Sequence, residues 1–186
     1  MKLETGMKMP SFTYLSPYRE GEIMSEELLA GKPFFIVFLR YYGCTMCRVD
    51  MHSFTKRYTD FAGRGIGLGV VLQSDPVLLK EEAPEGTFPF EVMCDPDMKL
   101  YERFDIAPAK SKLGMVGGNI GGLLKKRKEA KALGFEHGRY EGNEQQLPRL
   151  VLVGSDGVIR YSHYARNIAD MPGVDEMLSI ADRFGQ

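Results

Sequence analysis

Residues 34–50 read Phe-Phe-Ile-Val-Phe-Leu-Arg-Tyr-Tyr-Gly-Cys-Thr-Met-Cys-Arg-Val-Asp. The apolar run Phe34–Leu39 has the length and composition of a buried strand. It breaks at Tyr41-Tyr42-Gly43, and Cys44-x-x-Cys47 follows at once. Behind the cysteines, Val49, Phe54, Tyr58 and Phe61 recur at helical spacing, which predicts a helix over about 45–62, closed by Gly63-Arg64-Gly65. A cysteine at a helix start meets unpaired N–H groups and the positive end of the helix dipole. Both favour the thiolate, the reactive form of cysteine.

Upstream, turn signals at Ser16-Pro17, Glu20-Gly21 and Gly31-Lys32-Pro33 predict a β-hairpin near 11–15 and 22–24 and a short helical turn over 25–30. Downstream, Ile66–Gln73 is a second buried strand, and Asp75-Pro76 opens a helix with proline in its first turn. Phe88–Cys94 predicts a further strand, with Asp95-Pro96-Asp97 starting the helix that carries Leu100, Tyr101 and Phe104. From Ala107 to about Gln146 the pattern changes. Gly114–Gly122 is flexible or tightly turned, and Leu123–Leu133 is a basic helix with little apolar face. This segment is too short and polar to bury a core of its own, so it is expected to be an insertion (approximately 107–146) in a single domain spanning 1–186. Leu150–Val153 and Val158–Tyr161 flank the hairpin signal Ser155-Asp156-Gly157, and a last helix is predicted over 174–184.

The chain has 186 residues, of which 44% are hydrophobic, and 24 basic against 25 acidic side chains, giving a net charge of −1. That balance argues against nucleic acid or an acidic membrane surface as partner. No apolar run approaches a membrane span. The segment 1–12 lacks the apolar core of a secretion signal, so the cytoplasm is the expected compartment. Three cysteines are too few for a disulfide scaffold. In a reducing compartment a close pair serves catalysis or metal binding. A zinc site needs four ligands, and Cys94, His52, His137 and His163 form no second paired motif, so no metal is expected. The glycines of 114–122 match no phosphate-binding spacing, and no cofactor is expected.

Redox chemistry remains. Cys44 sits at the first turn and is expected to have its sulfur nearest solvent, as the attacking thiolate. Cys47, one turn in, can close a reversible disulfide with it. Arg48 either adds positive potential or is a solvated helix residue. Cys94, at a strand end, is either a second resolving thiol or a small hydrophobe.

A strand running straight into CxxC at a helix start resembles the thioredoxin arrangement. The segments MPSFTYL, IVFLRYYGCTMCR, FPFEVMCDPDMKLYERFDI and LPRLVLVGSDGVIRYSHYARNIADMPGVDEML resemble the peroxiredoxin-like (AhpC/TSA) family of that superfamily, in a CxxC-containing branch. The resemblance implies an α/β fold: a thioredoxin-like α/β/α sandwich with a mixed central sheet, an N-terminal β-hairpin and a helical insertion before a strand led by a cis proline. Pro148 falls there and is expected to be cis and to pack beside the cysteines.

The departures from the family are informative. Laid on its Pro-x-x-x-Thr-x-x-Cys motif, Cys47 takes the peroxidatic position, Cys44 replaces Thr and Arg40 replaces Pro. The family's second arginine would fall near Pro148, with Arg149 only a neighbour. Alignment therefore names Cys47 as nucleophile, whereas helix position names Cys44, which we take as the attacking thiol. The reading is a thiol-dependent oxidoreductase using Cys44, Cys47, Arg48 and Pro148. Its substrate is a peroxide or a protein disulfide, and its reductant is thioredoxin-like or a small thiol. The resemblance also allows a homodimer. Loss of the Thr and Arg donors predicts slow peroxide turnover, with disulfide exchange the better activity. A non-catalytic redox sensor or binding module is the alternative.

Overall fold

The computed structural model describes residues 1–184. Seven strands and eight helices follow in chain order: β1 Thr13–Leu15, β2 Glu22–Met24, α1 Glu26–Leu29, β3 Phe34–Phe38, α2 Thr45–Lys56, α3 Tyr58–Ala62, β4 Gly67–Leu72 and α4 Pro76–Glu82. Then come β5 Glu91–Cys94, α5 Lys99–Arg103, α6 Lys112–Val116, α7 Ile120–Ala132, β6 Arg149–Val153, β7 Ile159–Tyr164 and α8 Val174–Phe184. They form one mixed sheet of order β2-β1-β5-β4-β3-β6-β7. β3, β4 and β5 are parallel, β6 runs antiparallel to β3, and β7 returns antiparallel to β6. The hairpin β1–β2 joins the other edge, where Leu15 pairs with Cys94.

Strand side chains alternate between two faces, and each face builds its own core. Phe35, Val37, Val70, Leu150 and Leu152 lie under α2, α4, α7 and α8 with Phe54, Leu79, Leu123 and Met177. Phe34, Ile36, Phe38, Val71, Met93 and Val151 lie opposite, with Leu3, Phe12, Leu100, Tyr101 and Phe104. The continuous apolar run of β3 is thus buried on both faces, as parallel central strands are. Gly67 and Gly69 in β4 make room on the second face for the Phe34 ring, which a Cβ at Gly67 would meet at 2.2 Å.

The structure departs from the sequence expectations in places with identifiable causes. The helix expected over 45–62 breaks at Arg57, whose ψ is 13°. Ser53 and Thr55 in its last turn donate back to the carbonyls of Val49 and Met51, a pattern that bends helices. The strand expected from Phe88 begins at Glu91. Pro89 cannot donate to a ladder, and Phe88 stacks on Phe90 instead, 5.4 Å between centroids. The helix expected from Asp95 begins at Lys99, because Met98 is left-handed at φ 58°; the Asp95 carboxylate accepts from Lys99 N and Leu100 N. The glycine-rich segment holds two capped helices. Ser111 caps α6, Gly117 ends it at φ 53°, and Asn119 caps α7, which runs through Gly121 and Gly122. No cis peptide bond occurs among the described residues, so the cis Pro148 expectation is corrected. The trans form is the lower-energy one for X–Pro bonds, and the Pro148 carbonyl accepts from Ala165 N as the strand pair begins. No helix among the described residues is long and apolar enough to cross a membrane.

Candidate active site

β3 runs out at Phe38, and Leu39–Gly43 carry the chain over the end of the sheet into α2. The turn is tied to neighbouring chain at each step: Leu39 N bonds to Val71 O, Gln73 N to Arg40 O, and Tyr42 N to Ser74 Oγ. Cys44 is the N-cap of α2. Its backbone is extended, and its sulfur accepts from Cys47 N at 3.3 Å, as an oxygen does at an ordinary N-cap. Cys47 therefore faces Cys44 from one turn inside the helix, and both are free thiols.

Arg40 completes the cluster. Its Nη2 lies 2.9 Å from Cys44 Sγ, while Nη1 donates to the carbonyl of Glu144 at 2.7 Å. Burial pushes the Cys44 thiol up. That is outweighed by a hydrogen bond from the Cys47 thiol, the Arg40 charge and the N–H groups of Cys47 and Met46, and Cys44 is held down to about 6. Cys47 moves the opposite way, raised by burial, by its bond to Cys44 and by the negative charge there. Burial alone would weaken the Arg40 charge, but the two sulfurs hold its guanidinium above its ordinary value. The two sulfurs are thus shifted in opposite directions, Cys44 toward the thiolate and Cys47 toward the thiol.

One expectation is reversed: neither sulfur faces solvent. Cys44 is 1% and Cys47 5% exposed. The cause is the segment that follows α7, which folds back over the end of the sheet. Gly138 N bonds to Gly43 O at 2.8 Å, and Asn143 N to the Gln73 side chain. The Glu141 carboxylate accepts from Ser74 Oγ and Asp75 N. Tyr41, whose hydroxyl burial keeps protonated, reaches His137 Nε2 at 3.2 Å, and His137 stacks on Tyr140 with centroids 4.1 Å apart. Beneath this cap, α7 is fixed to α2 by Lys126, which spans both carboxylate oxygens of Asp50 at 2.6 and 2.7 Å.

The other residues singled out in sequence lie as follows. Arg48 rests its guanidinium over the rings of Phe135 and Tyr42, 4.5 and 5.3 Å from their centroids, rather than on a sulfur. Pro148 lines a small cavity with Leu39, Arg40, Met46, Cys47, Asp50 and Ile168. Arg149 turns to the other face of the sheet. It is fully buried, lies 3.2 Å over the Tyr164 ring, and donates to Leu3 O and Ser162 Oγ. It anchors the N-terminal segment. Cys94 is buried and its thiol is pushed up, first by burial and then by Asp75, Glu141 and Asp95, so it behaves as a small hydrophobe. No group of three or more His, Cys, Asp or Glu side chains suited to a metal ion occurs among the described residues.

Sequence reasoning marked Arg40 only as a departure from a motif. Of the cap residues, His137 was weighed as a metal ligand, and Tyr140 and Glu144 were not marked at all. The signal for Arg40 was a cation at the end of a buried strand, four residues before a cysteine.

A seven-stranded mixed sheet with a CxxC after its interior strand β3 defines a thioredoxin-like thiol oxidoreductase. The sequence model of the AhpC/TSA family matches residues 5–162, and the chain belongs to that family. It is 26% identical over 149 residues to a prostamide/prostaglandin F synthase of Salmo salar, covering 80% of this chain and 72% of that protein. Among solved structures it resembles a cysteine-to-serine mutant of peroxiredoxin 6 from Arenicola marina, with TM-score 0.71, 13% identity, and 96% and 72% of the two chains covered. It also resembles the thiol peroxidase of Chromobacterium violaceum, with TM-score 0.66, 16% identity, and 98% and 88% covered. At these identities the structural likenesses establish the shared thioredoxin-like fold.

Proposed function

We propose that this chain reduces peroxides with a Cys44/Cys47 dithiol, Cys44 attacking and Cys47 resolving. The observation that carries the reading is the Arg40 guanidinium 2.9 Å from Cys44 Sγ. Together with the Cys47 hydrogen bond it favours the thiolate at Cys44, and it leaves a charged donor beside the atom that reacts.

The chemistry runs in two steps. The Cys44 thiolate attacks the terminal oxygen of a hydroperoxide ROOH. An S–O bond forms, the O–O bond breaks, and the leaving alkoxide takes a proton from solvent as ROH. Cys44 is then a sulfenic acid. The Cys47 thiol attacks that sulfur, the S–S bond forms and the S–O bond breaks. The hydroxide leaves as water with the Cys47 proton. A thiol reductant returns two electrons and restores the pair. Arg40, at the position of the motif's proline, supplies a charged donor beside Cys44 in place of the threonine and second arginine donors that are absent.

Disulfide exchange with a protein partner is the weaker reading. An attacking sulfur 1% exposed under a tied cap suits a small oxidant better than a protein disulfide. Pro148 and Arg48 keep supporting parts: Pro148 walls the cavity beside Cys47, and Arg48 holds the Tyr42 and Phe135 rings together. We read residues 107–146 as an insertion on a single thioredoxin-like domain. The deciding experiment is stopped-flow oxidation of reduced protein by hydrogen peroxide, with Cys44→Ser and Cys47→Ser alongside. Rapid thiol loss that Cys44→Ser abolishes supports the reading; a Cys44→Ser variant that reacts like the parent moves the attack to Cys47.

A further inference from the structure

Between the cap and the start of α2 lies a cavity of about 1060 Å³. That is at the upper end of what small-molecule sites enclose, and far more than hydrogen peroxide needs. It is bordered by Arg40, Tyr41, Thr45 and Met46, the residues on either side of Cys44 in the chain. The small cavity beside Cys47 shares Arg40, Met46 and Ile168 with it, so these three side chains form the wall between the two. Met46 is the flexible part of that wall.

The far side of the large cavity is cationic. Lys112 of α6 and Arg127 of α7 line it, and among the described residues neither has an ion-pair or hydrogen-bond partner. Both belong to a strongly basic stretch in a chain of net charge −1. Residues 107–132 hold Lys110, Lys112, Lys125, Lys126, Arg127, Lys128 and Lys131 against Glu129 alone. Asn143, Gln145 and His137 add polar groups to the lining and Glu144 adds one acid, against the cations Arg40, Lys112 and Arg127, so the cavity is not built for a purely apolar guest.

The geometry points to this cavity as the binding site of the reductant, a low-molecular-weight thiol carrying a carboxylate. The inference rests on the dithiol reading above, because it needs a Cys44–Cys47 disulfide to reduce. Both sulfurs lie beneath the cap, and this cavity reaches Arg40, Tyr41, Thr45 and Met46 around Cys44. Lys112 and Arg127 hold the carboxylate, and the thiol end lies toward Cys44. The incoming thiolate bonds to Cys44 Sγ as the Cys44–Cys47 bond breaks, and Cys47 leaves and takes a proton. A second thiolate attacks the outer sulfur of the mixed disulfide and releases Cys44 as thiolate, its favoured form. Two external thiols become one external disulfide, one of their protons ends on Cys47, and the other goes to solvent.

The test is a charge series of small thiols on the full-length protein, first oxidised to its disulfide and checked by mass. Reduction by 3-mercaptopropionate, 2-mercaptoethanol and cysteamine is followed by acid quench and alkylation, with rates compared per thiolate. Glutathione and thioredoxin are run beside them. The expected result is that 3-mercaptopropionate and glutathione outpace the neutral and cationic thiols by about tenfold, as an ion pair at a semi-exposed site allows. In Lys112→Gln/Arg127→Gln the gap between carboxylate and neutral thiols closes, and raised salt narrows it in the parent. Rates that follow thiolate fraction regardless of charge overturn the inference. So does thioredoxin acting at micromolar concentration where carboxylate thiols are slow. If no disulfide forms on oxidation, the dithiol reading itself fails, and that is seen before any thiol is added.

Discussion

Arg40 Nη2 lies 2.9 Å from Cys44 Sγ, within the segment 39–44 that joins the end of β3 to the start of α2. The strand end fixes the arginine and the helix N-cap fixes the sulfur, so their approach is set by two rigid elements. A hydrogen bond between charged partners contributes about 1.5–3 kcal/mol, or roughly one to two pKa units. Arg40→Met is therefore expected to raise Cys44 above its value of about 6. The sign follows from the thiolate being the reactive form. Labelling by iodoacetamide should fall about two- to tenfold at pH 7 in the variant and recover by pH 9. The peroxide rate should recover only in part, because the donor to the breaking O–O bond is also gone. An unchanged labelling profile would remove Arg40 from the site.

The cap meets the active-site turn at Gly43. A Cβ there would lie 2.1 Å from Arg139 O and 2.8 Å from Arg139 N, both backbone atoms that cannot rotate away. Gly43→Ala must displace the cap, at a cost of about 1–3 kcal/mol typical of overpacking. The expected outcome is faster alkylation of Cys44 and new proteolytic cleavage within 134–146, with the helix and sheet signals of the parent retained. Cleavage and alkylation unchanged from the parent would show that the cap does not restrict access.

Much of this architecture was legible in the sequence. The doubly buried β3, the CxxC at its end and the two hairpins all follow from local signals: apolar runs, turn residues and helical spacing. The boundaries that moved did so for local reasons as well, such as the hydroxyl back-bonding of Ser53 and Thr55 and the missing N–H of Pro89. What the sequence hid was long-range. Nothing in the polar stretch 134–146 announces that it will bond to Gly43, Gln73 and Asp75, because those contacts use carbonyls, amides and the Glu141 carboxylate rather than an apolar pattern. The burial of Cys44 is a consequence of that return, so a helix start read alone gives an exposed sulfur. Arg149 illustrates the period-two rule. One residue past Pro148, it points to the opposite face, and proximity in sequence to the site meant nothing.

Lys126 and Asp50 pin α7 to α2 with side chains 15% and 16% exposed. A partly buried pair costs more to break than to lack, because the surviving charge stays desolvated. Lys126→Met should lower stability by about 1–3 kcal/mol. The double variant Lys126→Met/Asp50→Asn should regain part of it. Denaturant unfolding of the four proteins measures the coupling directly. Additive losses would mean that the pair contributes nothing as a pair.

The division of labour between the cysteines gives the sharpest prediction. On the proposed reading Cys44, shifted down, is the thiolate and Cys47, shifted up, the thiol, so removing each should arrest the cycle at a different point. Cys47→Ser keeps Arg40 and most of the N–H donors on Cys44, but it loses the thiol that resolves a sulfenic acid. Treated with one equivalent of peroxide, it should gain a single oxygen on the peptide carrying Cys44, trappable by dimedone, and should form no intramolecular disulfide. Excess peroxide should carry it on to the sulfinic acid, which thiols do not reverse. Cys44→Ser leaves a buried Cys47 without an adjacent thiolate and without the polarised pair, and its peroxide reaction should fall by on the order of a hundredfold or more. Intact-mass and peptide-mass measurements on both variants separate the outcomes. A single oxygen appearing on Cys47 in Cys44→Ser, at the parent's rate, would reverse the assignment, with Arg40 then serving Cys47 through the rotation of one side chain.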